Sequence, residues 1–190
     1  MTPSELPSGT DRIACAARIV CGGDFADDDI LVNIQGDEPL VDPALIDALA
    51  EKLAGDAQWD MATAVTSIKR AGDLAAKSVV KVVTARDGAA LYFSRAQIPC
   101  DRDNPPDLES GLYVRHLGIY AYRGRFLKRY VAEPPCGLEK TEKLEQLRAL
   151  WMGARIAVLR TEDQGVGVDT PEDALRIEPL LLERHGRNRP

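Results

Sequence analysis

The first residues with the makings of chemistry follow a short apolar run. Ile30 to Ile34 has the near-continuous apolar character of a strand covered on both faces, and Gln35-Gly-Asp-Glu-Pro39 comes directly after it. In an open α/β sheet, the carboxyl end of a strand is where ligands bind. Gly36 allows a sharp turn there, and Asp37 offers a hard oxygen donor of the kind Mg²⁺ takes. The same five residues also suit a strand-to-helix turn whose carboxylates cap nearby amides, and the pentapeptide alone does not choose. A second carboxylate-bearing turn runs from Gly165 to Asp173. Thr170 and Asp173 have capping-box spacing, with Pro171 at the first helical position. Asp169 is left without a structural task; it either joins Asp37 on one metal ion or is a solvated turn residue.

Four further groups carry polar chemistry. Ser8-Gly-Thr-Asp-Arg12 combines hydroxyls and a guanidinium, which suits a nucleotide base or phosphate, although Ser-Gly-Thr before a helix is also an ordinary cap. In Arg115-His-Leu-Gly-Ile-Tyr120, His116 and Tyr120 share one strand face, with Gly118 between them clearing space for a ligand. Arg95, within Phe93 to Pro99, can grip a carboxylate with two parallel N–H groups. Glu145 and Gln146 offer directional hydrogen bonds, or else form a solvated helix face.

These residues need a scaffold, and the pattern supplies one. Asp42 then Pro43 reads as an N-cap and first helical residue, and Leu45, Ile46, Leu49 and Leu53 mark one helix face ended by Gly55. Strands are expected at Met61–Thr66, Val79–Thr84, Ala89–Ser94, Val114–Tyr122 and Ile156–Leu159. A polar, Pro-rich surface loop is expected from Pro99 to Gly111, and a short helix from Phe126 to Ala132. Leu138 to Trp151 reads as the clearest helix, with Leu144, Leu147, Leu150 and Trp151 as a buried stripe and Glu139/Lys143 as an i,i+4 pair. A last helix starts at Pro171, and the tail 187–190 is expected to be disordered. Strands alternating with helices, without a repeat or linker, predict one three-layer α/β domain over residues 1–186.

Composition narrows the function classes. The 190 residues are 45% hydrophobic and 28% charged, as in a globular domain with a real core. No apolar run approaches the roughly 20 residues of a membrane span, and Met1 to Thr10 lack the pattern of a secretory signal. A net charge of −6 without a dense basic cluster argues against a nucleic-acid partner. Cys15, Cys21, Cys100 and Cys136 form no CxxC pair, and scattered thiols predict a reducing cytoplasm rather than a zinc or disulfide framework.

Together the motifs resemble one family, the 3-deoxy-manno-octulosonate (Kdo) cytidylyltransferases, or CMP-Kdo synthetases. The resemblance is carried by SGTDR (8–12), VNIQGDEP (32–39), SVVKVV (78–83), ALYFSRAQIP (90–99), RHLGIYAYR (115–123), LEKTEKLEQLR (138–148) and GVDTPED (167–173). QGDEP is shared by sugar cytidylyltransferases at large, whereas RHLGIY, the FSRAQIP pattern and LEQLR are more specific. The resemblance implies a Rossmann-like α/β/α nucleotidyltransferase domain of glycosyltransferase-A type. It further implies a cytoplasmic homodimer with Mg²⁺ that transfers CMP from CTP to Kdo for lipopolysaccharide biosynthesis and releases pyrophosphate. Asp37 and Asp169 then match the metal-binding, catalytic aspartates. Arg95, His116, Tyr120, Glu145 and Gln146 match the sugar-acid pocket, with Gln35 between sugar and nucleotide. Ser8, Gly9, Thr10 and Arg12 match the nucleotide side.

The chain departs from this pattern at its start. Family members open with a strand and an anion-holding loop of the type PARxxSxRLPGKPL, then a helix and a further strand before the SGTxR turn. Two β-α units, on the order of 60 residues, are not in this sequence. The expectation is that the Ile30 strand loses cover or pairing and exposes an edge, and that CTP affinity and charge stabilisation collapse. Two alternatives stand beside the leading reading. One is a cytidylyltransferase for a related sugar acid such as amino-Kdo. The other is a non-catalytic remnant that binds sugar acid or dimerises.

Overall fold

The computed structural model describes residues 2–3, 5–6, 8–36, 39–163, 168, 172, 174–175, 177–179 and 181–182. Asp37, Asp169, Thr170, Pro171, Asp173 and the tail 187–190 lie outside them; of the helix expected after Pro171, residues 172, 174–175, 177–179 and 181–182 are described and are helical.

The described chain runs α1 (Gly9–Cys21), β1 (Ile30–Asn33), α2 (Pro43–Gly55), β2 (Met61–Ser67), α3 (Ala71–Ala75), β3 (Lys81–Thr84), β4 (Ala90–Ser94), β5 (Val114–Arg123), α4 (Gly124–Ala132), α5 (Gly137–Glu142), α6 (Gln146–Trp151) and β6 (Ile156–Arg160). The strands form one six-stranded sheet in the order β4-β3-β5-β2-β6, with β1 also paired to β5. α2 forms where the sequence places it: the Asp42 carboxylate accepts a hydrogen bond from Ala44 N, and Pro43 follows at the first turn. Its Leu45, Leu49 and Leu53 pack on Ala62, Ala64, Leu117, Ile119 and Ala121 of β2 and β5. The opposite face of the same strands, with Met61, Val65, Val114, Tyr120 and Tyr122, packs against Ala14, Phe126, Leu127, Tyr130 and Leu147 of α1, α4 and α6. Two such covered faces make the three layers that the alternating pattern predicts. Each fully buried Leu or Phe in them stabilises the fold by about 1.5–3 kcal/mol.

β5 organises the sheet. β2 pairs antiparallel along one edge from Val114 to Tyr122. The other edge is divided: β1 takes Tyr120 to Arg123, and β3 meets it at Arg115. His116 N still donates to the Val80 carbonyl at 2.8 Å; beyond it the two partners diverge and leave a gap opposite residues 117–119. Among the described residues β1 pairs only with β5, so its outer edge is open, as the sequence leads one to expect.

The helix expected from Leu138 to Trp151 is broken in two. Lys143 adopts the left-handed conformation (φ 55°, ψ 49°) and separates α5 from α6. The expected Glu139/Lys143 pair therefore does not form. Glu139 instead faces Arg148, whose Nε lies 3.0 Å from Glu139 Oε2. The guanidinium also covers the Tyr130 ring at 4.2 Å and donates to the Glu133 carbonyl at 2.7 Å. Leu144 and Leu147 are buried as predicted, but Trp151 is 60% exposed and lies outside the stripe.

Candidate active site

The gap beside β5 opens into a cleft of about 1210 Å³. The C-terminal end of β1 (Asn33 to Gly36) and the approach to β3 (Ser78 to Val80) flank it, and α1 and the α5–α6 junction close its sides. It therefore lies where two neighbouring strand ends part, the position that favours ligands in open α/β sheets.

His116 and Tyr120 reach the cleft from one face of β5, their rings 5.3 Å apart. The space over Gly118 is taken by Gln35: a Cβ at that position would sit 3.4 Å from Gln35 Nε2. Gly118 thus gives room to a protein side chain that itself lines the cleft. Burial keeps the His116 ring uncharged, its pKa pushed down to about 3, and raises that of the Tyr120 phenol, so both are neutral hydrogen-bonding groups at pH 7.

Glu145 and Gln146 stand where α6 begins, immediately after the Lys143 break. Gln146 is buried rather than solvated. Thr10 Oγ1 donates to Glu145 Oε2 at 2.8 Å and lies 3.3 Å from the Tyr122 hydroxyl. Tyr130 donates to the Glu145 carbonyl at 2.9 Å. Thr10 and Glu145, assigned by the sequence to opposite sides of the site, are thus bonded directly to each other. Gly9 and Arg12 also line the cleft. Ser8 caps α1, accepting from Asp11 N at 3.2 Å, so it acts on the site through the helix it starts.

Arg95 is anchored more firmly than its sequence context suggests. Nε donates to the Glu142 carbonyl at 2.7 Å, Nη1 to the Lys77 carbonyl at 2.9 Å and Nη2 to the Lys143 carbonyl at 3.4 Å. Three of five N–H groups are engaged, leaving one on each terminal nitrogen for a ligand in the cleft. Glu142 holds the same segment from below, accepting from Ser94 Oγ at 2.7 Å and Arg95 N at 2.9 Å. Lys81 completes the support. Fully buried, its ammonium donates to the carbonyls of Ala76, Val79 and Arg95. Its pKa is lowered, first by burial and then by the nearby Arg95 charge.

Asn33 and Lys143 line the cleft and Lys81 supports it through Arg95; none of the three was named as a site residue from sequence. A lysine inside the apolar run SVVKVV is the signal that would have marked Lys81. The residues expected to hold metal, Asp37 and Asp169, lie outside the described residues, but Gln35 and Gly36, which lead into Asp37, line the cleft.

Known proteins carry the same architecture. A family model described as cytidylyltransferase matches residues 1–156. A 3-deoxy-manno-octulosonate cytidylyltransferase 2 of Actinobacillus pleuropneumoniae serotype 5b is 45% identical, covering 97% of this chain and 74% of that protein. A 3-deoxy-manno-octulosonate cytidylyltransferase of Bdellovibrio bacteriovorus is 46% identical over 95% of this chain and 71% of its own length. A solved structure of CMP:2-keto-3-deoxy-manno-octonic acid synthetase complexed with CTP superimposes with a TM-score of 0.85 at 36% identity, over 97% of this chain and 72% of that one. The architecture is that of the nucleotidyltransferases, mixed α/β with helices on both sheet faces. The chain belongs to the cytidylyltransferase family, within its 3-deoxy-manno-octulosonate branch.

Proposed function

We propose that the cleft holds CTP and 3-deoxy-manno-octulosonate side by side, and that the chain transfers CMP from the first to the second. The anomeric hydroxyl oxygen of the sugar acid attacks the α-phosphorus, the bond to pyrophosphate breaks so that pyrophosphate leaves, and the hydroxyl proton passes to solvent. Such a reaction needs alignment and charge neutralisation more than a protein nucleophile. The observation that carries this reading is the convergence of complementary groups on one large cleft. At about 1210 Å³ it exceeds the roughly 300–1,000 Å³ of a single small-ligand pocket.

The two free N–H groups of Arg95 suit the sugar carboxylate, and His116, Tyr120, Glu145 and Gln146 suit its hydroxyls. Gln35, packed over Gly118, stands between the sugar side and the nucleotide side. Gly9, Thr10 and Arg12, at the capped start of α1, suit the nucleotide. Mg²⁺ held by Asp37 and Asp169 would neutralise phosphate charge and polarise the α-phosphorus; hard carboxylate oxygens fit that ion, and the cleft-lining Gln35-Gly36 pair supports placing the first of them here.

Assembly as a homodimer is supported by large exposed apolar side chains at the sheet edge and on a neighbouring helix, Leu91 of β4 and Trp151 of α6. No helix among the described residues is long and apolar enough to cross a membrane. Free thiols at all four cysteines fit a cytoplasmic setting.

Arg95→Lys tests the pocket. It keeps one charge but loses the fork, so the KM for the sugar acid should rise about tenfold or more while the KM for CTP stays within a factor of two. Equal rises in both would remove Arg95 from the sugar side.

A further inference from the structure

His116 has two ring nitrogens, and which one carries the proton decides what it can recognise. The arrangement around Thr63 answers that. Between Thr63 and Ala64 the register of β2 against β5 jumps, so that Thr63 faces Tyr120 while Ala64 faces Leu117. Gly118 and Ile119 therefore bulge out of the ladder, and the Ile119 carbonyl has no strand partner in either neighbouring register. The fully buried Thr63 hydroxyl meets it at 2.8 Å.

A carbonyl can only accept, and a threonine hydroxyl has a single proton to give. That proton goes to a β5 carbonyl, and Ile119 O at 2.8 Å is far better placed than Leu117 O at 3.4 Å; both are acceptors, so neither can supply a proton to the hydroxyl. His116 Nε2 lies 2.9 Å from the same Thr63 oxygen, which is left with lone pairs toward the ring. Nε2 must then carry the imidazole proton and donate it. Nδ1 is left unprotonated and has no protein partner among the described residues. The ring is held in place on two sides, by Phe93 edge-on at 5.2 Å and by Tyr120 at 5.3 Å.

We infer that Thr63 is a positioning residue that fixes His116 as its Nε2–H tautomer, making Nδ1 an acceptor for a hydroxyl of the sugar acid. Two further observations agree. Burial keeps the ring neutral, so a second proton does not occupy Nδ1 near pH 7. The bulge that frees the Ile119 carbonyl also makes the room over Gly118 that Gln35 fills, so one irregularity of the sheet sets both side chains.

The role in substrate recognition rests on the sugar-side reading of His116; the tautomer does not. Nitrogen-15 spectra of the free protein should show His116 Nε2 as a protonated, pyrrole-type nitrogen and Nδ1 as pyridine-type. The reverse pattern, or a cationic ring at pH 7, overturns the inference whatever the substrate is. Thr63→Val keeps the shape but removes the hydroxyl, so the two tautomers should mix in the spectrum. The KM for the sugar acid should rise about tenfold, the loss of one directed hydrogen bond, with the KM for CTP unchanged. Thr63→Ser should restore both tautomer and KM, which a purely packing role for the threonine methyl would not allow. A changed tautomer with an unchanged sugar KM would leave the Thr63–His116 geometry standing and refute His116 as a sugar ligand. Should the valine variant fail to fold, the wild-type spectrum and the serine variant still decide.

Discussion

Replacing Lys143 by glycine is expected to make the protein more stable. Lys143 is the sole described non-glycine residue with positive φ, at 55°, and its left-handed turn ends α5 so that α6 can start at Gln146. For an L-residue that conformation costs about 1–2 kcal/mol, because Cβ crowds the following carbonyl oxygen. Glycine avoids the clash but gives the unfolded chain more freedom, which takes back part of the gain. Lys143 is exposed and its side chain packs in no core cluster, so little else is lost. The net stabilisation is about 1 kcal/mol, which in a chain of this size raises Tm by about 2–4 °C. Lys143→Ala is the control. It removes the same ammonium from the rim of the cleft but keeps Cβ, so its Tm should match wild type. Both variants should alter the KM values alike, because the lost charge is the same. Thermal unfolding followed by circular dichroism reads the difference. A glycine variant that melts no higher than the alanine variant would show that the turn is not strained and that another force breaks the helix.

Other consequences follow from single contacts. His116 is neutral in the folded chain, with a pKa near 3, and titrates near 6.5 when unfolded, so the unfolded state binds the extra proton. Its share of stability is complete above about pH 6.5 and is lost as pH falls, about 2 kcal/mol of it by pH 5. Denaturant unfolding at pH 7.5 and pH 5 should show that loss in wild type, and His116→Gln should lack it; equal slopes would mean the ring is charged or solvated in the fold. Gly124 is the other sensitive position. A Cβ there would lie 2.1 Å from the Ala26 carbonyl oxygen, in a loop tied down by Gly124 N to Asp29 O at 2.7 Å and Arg125 N to Asp27 O at 2.8 Å. Gly124→Ala should cost about 3 kcal/mol, read as a lower urea midpoint, and an unchanged midpoint would mean that the 24–29 loop gives way freely.

What was legible in the sequence was local. The Asp42-Pro43 cap, the Leu45/Leu49/Leu53 face and the β-branched runs each report on a few neighbouring residues, and those elements form where the pattern puts them. The break at Lys143 was hidden because a left-handed turn is normally marked by glycine or asparagine, and the flanking leucines keep helical spacing across it. What stabilises the break is non-local: Arg148 reaches back to Glu139 and Glu133, and Arg95 from another strand grips the carbonyls of Glu142 and Lys143.

The site shows the same division. Polar residues projecting from strand ends and helix starts were visible as types: Gln35, Arg95, His116, Tyr120, Glu145 and Gln146 all line the cleft. Their supports were not. Thr63 reads as an ordinary β-former, and its role depends on a register jump between strands more than 50 residues apart in sequence. Gly118 was legible as a clearing, but only the structure shows that Gln35 occupies it.

The most direct test of the central claim is pyrophosphate release by the purified 190-residue chain, with CTP, 3-deoxy-manno-octulosonate and Mg²⁺ supplied together and each omitted in turn. The account predicts release that needs all three, accompanied by an equal amount of the CMP-linked sugar. Release without the sugar acid, or a folded chain that releases nothing at saturating concentrations of all three, would contradict it.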